Sequence, residues 1–232
     1  EVTSILLEPD PSCYVRQLQE SKLFERFTIT GEDLQRTRQY KEEADRKQLQ
    51  DSAVNMDYYL QSLEMVGSFN KFNKLDLPRI TQLINKSNQF NLTTKRRTES
   101  EIETLMSDPK YVGFSMRLAD RFGDHGLISV VIGYLGENGV FEIDTWLMSC
   151  RVLKRQVEEQ VLNEIVRLAK ENKYVRIKGL YLPTAKNGMV SKLYPTLGFS
   201  CISENVECSE FELPVENFNE ISTFIKINSR SN

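Results

Sequence analysis

The sequence predicts an α/β fold, a mixed and mostly antiparallel sheet flanked by helices with a helical extension before it. Three observations lead there. β-rich runs at Gly113–Leu118, Leu127–Leu135 and Val140–Met148 follow one another across short turns. An amphipathic helix then runs from about Arg155 to Asn172, with Val157, Val161, Leu162, Ile165, Leu168 and Ala169 as its inner stripe. A strand (Val175–Leu182), a helix (Asn187–Leu197) and two short strands around Ser200 and Phe211 complete the order.

Each element has its own signal. Residues 1–29 carry Pro9-Asp10-Pro11 and read as the trailing end of a preceding domain. Thr30 and Asp33 form a capping pair that starts a charged helix ending near Gln50, whose charges read as a solvated face. A short helix fits 52–62, and residues 30–62 together form a helical linker before a domain at 63–232. Glu64 to Phe72 reads as a strand. Asp76 and Pro78 open a helix that places Leu77, Ile80, Leu83 and Ile84 on one face. Thr98 and Glu101 start the next, with Ile102, Leu105 and Met106 inward. Leu127–Leu135 is nearly continuous in Ile, Val and Leu, as in a strand covered on both faces. Asp124-His125-Gly126 and Gly136-Glu137-Asn138-Gly139 supply turns.

Composition narrows the function classes. A chain of 232 residues with 40% hydrophobic and 27% charged residues has the texture of an ordinary soluble globular protein. A net charge of -3 argues against a nucleic-acid partner, while leaving room for a local cluster that binds one small anion. No apolar run of about 18 residues marks a membrane span. The four cysteines lack CxxC spacing and His125 is the single histidine, so no metal site is expected. Without a signal peptide, the thiols are expected to be reduced in the cytoplasm. The chain begins Glu-Val-Thr, which reads as a piece of a longer protein with an N-terminal partner domain.

The most informative stretch is Glu142 to Arg155, where a strand ends, turns and opens a long helix. The first N–H groups of that helix are free and carry the positive end of its dipole. Arg151, Lys154 and Arg155 crowd the same end, and an anion there would relieve the conflict; the alternative is that they point into solvent. Cys150 sits at the junction. Helix tip and arginines favour a thiolate that can carry an acyl group as a thioester, while a small buried filler is the other reading. Asn88, Gln89 and Asn91 follow a helix end, where amides read substrate hydroxyls or pantetheine amides, or simply cap the helix. Asp120, Arg121, Asp124 and His125 lie in one tight connection. It either orients a substrate, with His125 as general base, or is a salt-bridged turn. Asn187 is a candidate for the cofactor arm and Tyr194 for protonating a leaving thiolate, although helical spacing alone places Tyr194 in the core.

These residues resemble a known family. Arg151-x-x-Lys154-x-Gln156 stands where GNAT acyltransferases have their pyrophosphate loop, so Val152 falls inside it. Asn187 to Phe199, with Tyr194 and Gly198-Phe199, is similar to the closing GNAT helix. The strings "NKSNQFNLTTKR", "LADRFGDHGLIS", "EIDTWLMSCRVLKR" and "LPTAKNGMVSKLYPTLGF" resemble, in order, the C-terminal region of FkbH-like proteins, from about Pro9 to Phe199. The resemblance implies a GNAT-like acyltransferase fold, with Val140–Phe199 as its thioester-binding half. It also implies an N-terminal phosphatase-like domain of the haloacid dehalogenase superfamily in the full chain, and transfer of a glyceryl group from 1,3-bisphosphoglycerate to an acyl carrier protein for polyketide building blocks. The partners implied are that domain and the carrier protein, whose phosphopantetheine arm takes the cofactor's place.

The phosphatase's Asp-x-Asp-x-Thr string is absent from this sequence, so phosphate removal is not expected of it. Lys154 and Gln156 fill both glycine positions of the phosphate loop, where glycine would let the backbone approach a pyrophosphate. That moves the expected donor from acetyl-coenzyme A toward a carrier arm with one phosphodiester. An N-acetyltransferase using coenzyme A, and a non-catalytic module that docks a carrier protein, are the alternatives.

Overall fold

The structure, a computed structural model, describes residues 7, 9–20, 31–136 and 138–230, with the backbone alone for 31–37 and 39. The helix start read at Thr30 and most of the expected trailing segment lie outside the described residues. The chain divides into two compact units, Glu1–Lys47 and Gln48–Asn232.

In the first unit, Asp10 accepts from the backbone N–H of Ser12 at 2.9 Å and opens a single 3-10 turn, Pro11–Cys13. Helix α1 (Tyr14–Glu20) follows. Helix α2 (Gly31–Ser52), which belongs to this unit as far as Lys47, is highly charged, and its pairs, such as Arg38 with Glu42 at 2.8 Å, follow helical spacing.

In the second unit, Asn55 caps α3 (Met56–Ser62) by accepting from the N–H of Tyr58. Strand β1 (Val66–Lys71) leads to α4 (Leu77–Lys86), which buries Leu77, Ile80, Leu83 and Ile84. Thr98 and Glu101 close a reciprocal capping box on α5 (Glu99–Ser107). Strands β2 (Tyr111–Asp120), β3 (Gly123–Leu135) and β4 (Val140–Met148) then form an antiparallel meander. Helix α6 (Val157–Glu171), β5 (Arg176–Tyr181), α7 (Leu193–Thr196), β6 (Ser200–Glu204), β7 (Ser209–Pro214) and β8 (Lys226–Arg230) follow. The sheet order is β6-β7-β5-β4-β3-β2-β1-β8, with β4–β5 and β1–β8 parallel and the other pairs antiparallel.

Strand β3 sits in the middle and is covered on both faces. Leu127, Val130 and Ile132 meet α4 and α5, while Ile128 and Val131 join the larger core with Trp146, Val161 and Ile165.

Three expectations change. Asp124-His125-Gly126 is not the hairpin turn: it lies within β3, and the chain reverses between Asp120 and Gly123, where Asp120 Oδ1 accepts from the N–H groups of Phe122 and Gly123. Helix α6 begins at Val157 instead of Arg155, because Lys154 (φ 62°) and Gln156 (φ 61°) take the left-handed conformation that a right-handed helix cannot include. The expected helix 187–197 is a 3-10 turn at Gly188–Val190 and then the four residues of α7. Pro195 lacks the N–H that a continuous helix would give to the Ser191 carbonyl.

Candidate functional site

Strands β4 and β5 are hydrogen-bonded in parallel from Val140–Ile143 to Arg176–Gly179 and then separate. The crevice beyond the carboxyl ends of parallel strands is where open α/β sheets take ligands. Here the chain fills it with its own residues Phe90, Asn91 and Leu92. The N–H of Leu92 donates to the Trp146 carbonyl and that of Met148 to the Phe90 carbonyl, both at 3.1 Å, while the N–H of Leu182 donates to the Leu92 carbonyl at 2.9 Å. Three residues thus bridge the two strand ends like a short extra strand.

This insert is firmly anchored. The Asn187 side chain is fully buried and gives one amide hydrogen to the Asn91 carbonyl and the other to that of Leu182. Its Oδ1 accepts from the N–H of Thr184 at 2.7 Å. Asn91, also fully buried, accepts from the N–H of Thr94 and donates to the Ser87 carbonyl. Thr93 bonds the Asp144 carbonyl, and the Asp144 carboxylate holds Lys95 and Arg97, each at 2.6 Å. Burial pushes the Asp144 carboxyl upward, but Lys95 and Arg97 outweigh it and keep it below its ordinary range.

Two clefts open on either side of Phe90, which lines both. The first, of about 740 Å³, lies between the carboxyl end of α4, the end of β4 and the loop after β5. It gathers four of the expected site residues: Cys150 and Arg151 with Asn88 and Gln89. Cys150 is free and exposed, at the start of a 3-10 turn (Cys150–Val152). The sequence did not single out Arg79, Lys86 and Lys186, which line the same cleft, and none of its described lining residues is acidic. The available signal was the spacing of Arg79, Gln82 and Lys86 along one face of α4. Burial, then the charges of Arg151 and Arg117, hold the Arg79 guanidinium below its ordinary value.

The second cleft, of about 470 Å³, lies at the tip of α6 and takes Lys154 and Gln156, with Leu153, Glu158, Glu159, Met189 and Lys192. The phosphate-loop residues are therefore divided between two sites. Gln156 turns its side chain away to accept from the N–H of Phe224 at 3.0 Å, and Val152 is wholly buried.

Other candidates lie away from Cys150. Arg155 is 5% exposed and donates to Asp120 Oδ2 at 3.3 Å, while His125 Nε2 lies 2.8 Å from the same oxygen. Arg155 also lies 3.0 Å from His125 Nε2, and the three side chains pack together and tie the β2–β3 turn to the loop before α6. That arrangement matches a salt-bridged connection rather than a site for a free base or a phosphate. Arg121 extends over the Phe122 ring and reaches the Ser62 carbonyl, and Asp124 accepts from the N–H of Gly126. Neither lines the Cys150 cleft. Tyr194 packs against Trp146, Phe199 and Phe211 in the core, 1% exposed. Burial drives its hydroxyl far above the usual phenol range, with only a weak counter-pull from backbone Leu180.

The central sheet with its parallel β4–β5 pair and flanking helices is a GNAT fold. A putative acetyltransferase of the GNAT family from Desulfovibrio desulfuricans superposes with a TM-score of 0.51 at 10% identity, covering 65% of this chain and 99% of that one. The GNAT domain of S. lividans PAT does so at 0.50 and 16% identity, covering 63% and 89%. Spermidine N-acetyltransferase from Vibrio cholerae, solved with CoA and spermine, gives 0.50 at 13% identity, covering 64% and 95%. No protein-family model and no curated protein matches the sequence.

The α6 tip is a poor seat for the pyrophosphate of coenzyme A. Glu158 and Glu159 occupy its first turn, where their carboxyl groups compete with a phosphate for the helix tip. Arg155 is paired elsewhere, and both amide hydrogens of Asn187 are engaged. Among the described residues, no three His, Cys, Asp or Glu side chains cluster to hold a metal, and no helix is long and apolar enough to cross a membrane.

Proposed function

We propose that this chain is an acyltransferase that moves a small acyl group, such as glyceryl, to or from the phosphopantetheine thiol of an acyl carrier protein. The observation that carries the reading is the placement of Cys150. Its free thiol faces a roomy cleft at the end of β4, among the amides of Asn88 and Gln89 and four cations. The fold likeness to acetyltransferases supports acyl transfer in general, and the resemblance of the four sequence strings supports the carrier protein and the glyceryl group.

In this scheme the Cys150 sulfur attacks the donor carbonyl. A thioester forms on Cys150 as the donor's acyl bond breaks, and the thiol proton leaves with the departing group. The reverse exchange hands the acyl group to the acceptor thiol. Asn88 and Gln89 orient the acyl group's hydroxyls through their amides. The N-terminal phosphatase-like domain of the full chain would supply the dephosphorylated acyl group.

Intact-mass spectrometry of the full-length protein incubated with 1,3-bisphosphoglycerate tests this. A glyceryl adduct on wild type that disappears in Cys150→Ala is the expected result, and an adduct that survives removes Cys150 from the scheme. The fold also admits an N-acetyltransferase, and calorimetric binding of acetyl-coenzyme A with turnover on an amine would favour it. The two acids at the α6 tip speak against that outcome.

A further inference from the structure

We propose that the cleft beside Cys150 is a phosphate site formed by Arg79, Lys86, Arg151 and Lys186. A phosphate-bearing thioester arm would then approach from the α4 side of the sheet and not from the α6 tip. That the bearer is a phosphopantetheine arm rests on the proposed function; the anion site itself does not.

Four observations converge. The cations come from three separate elements, α4, the turn after β4 and the loop after β5, and none of the described residues lining the cleft is acidic. Lys86 and Lys186 have no ion-pair partner among the described residues, and Arg151 reaches only the Ser149 hydroxyl, at 3.3 Å. Arg79 and Arg151 line the same cleft and are close enough for the like charge to be felt at Arg79, a cost that a bound phosphate anion would turn into attraction. The usual helix-tip seat, in contrast, presents Glu158 and Glu159.

Geometry adds a constraint. Phe90 stands between the two clefts, and its carbonyl is bonded into the sheet at Met148. A ligand that spanned from the α6 tip to Cys150 would have to pass across Phe90, which lines both clefts. A ligand entering on the α4 side reaches Cys150 within one cleft. The volume of about 740 Å³ falls in the range of small-molecule sites.

Calorimetry on the intact chain decides the matter with three probes: 4′-phosphopantetheine, pantetheine without phosphate, and 3-phosphoglycerate. For wild type, 4′-phosphopantetheine should bind about tenfold or more tightly than pantetheine. The double variant Arg79→Gln/Arg151→Gln should lose that advantage, and Lys154→Gln/Lys192→Gln should keep it. Both pairs are on the surface, so neither change threatens folding. Equal binding of the two pantetheines, a loss that maps to Lys154 and Lys192, or no binding of any probe would overturn the site. If only 3-phosphoglycerate binds, and binds through Arg79 and Arg151, the anion site stands while the carrier arm, and with it the proposed function, falls.

Discussion

Asn187 gives one amide hydrogen to the Asn91 carbonyl at 3.0 Å and the other to the Leu182 carbonyl at 2.9 Å, across 96 positions of sequence in the first case. One buried side chain thereby holds the Phe90–Leu92 insert against the end of β5. Truncation removes the partner of the buried Asn91 carbonyl and of the part-buried Leu182 carbonyl and Thr184 N–H together. Asn187→Ala is expected to cost about 3 kcal/mol in urea unfolding, since each unsatisfied buried group costs about 1–3 kcal/mol. A loss under about 0.5 kcal/mol would show that water replaces the clamp without penalty.

The second anchor is ionic. The Asp144 carboxyl is pushed up by burial but pulled down further by Lys95 and Arg97, so it titrates in the folded chain below its ordinary 3.8. A lowered folded pKa contributes stability that is fully present above the unfolded value and lost as pH falls through the folded one. Asp144→Asn should therefore destabilise the chain at neutral pH by about 2 kcal/mol. The gap to wild type should narrow below about pH 3.8. Hydrogen exchange should report the same change locally, as faster exchange of the Leu92 N–H.

At the α6 tip the sign is reversed. Burial, then repulsion from Glu159, raise the Glu158 carboxyl to about 7, although the N–H groups of Glu158 and Val157 favour its charged form. The folded state retains a proton that the unfolded chain has already released, so stability falls as pH rises from about 4.5 through about 7. Glu158→Gln is expected to raise Tm at pH 8, by an amount equivalent to about 2 kcal/mol, and to leave it unchanged at pH 4. An equal gain at both values would mean that the carboxyl's charge has no part in the effect.

Local chemistry was legible in the sequence wherever one segment decides its own shape. Thr98 with Glu101, and Pro78 after Asp76, started their helices where the residues said they would, and the continuous Leu127–Leu135 run proved to be covered on both faces. Cys150, Arg151, Asn88 and Gln89 likewise came to one cleft. What failed to show was partnership across the chain. Nothing in the spacing reveals that Arg155 pairs with Asp120, 35 residues earlier, or that Asn187 faces inward to bind carbonyls. The left-handed turn at Lys154 and Gln156 was hidden for a related reason. Neither residue type favours it, and the Gln156 side chain is held by Phe224, far along the sequence. Strand β8 was missed because only Ile227 breaks its polar, edge-exposed run.

Tyr194 separates a structural role from a chemical one. Its ring lies beneath Gly179, where an added Cβ would come within 2.3 Å of it, and its hydroxyl has no hydrogen bond of good geometry among the described residues. A buried hydroxyl without a partner carries a desolvation cost and little compensation. Tyr194→Phe should therefore leave stability unchanged or raise it by up to about 1 kcal/mol, whereas Gly179→Ala should cost about 2–3 kcal/mol through the clash with the ring. The same Tyr194→Phe variant decides the proton-donor role that the sequence suggested. With the hydroxyl sealed in the core, the rate of the proposed acyl transfer should stay within about twofold of wild type. General acid catalysis by this residue would instead show as a loss of about a hundredfold or more.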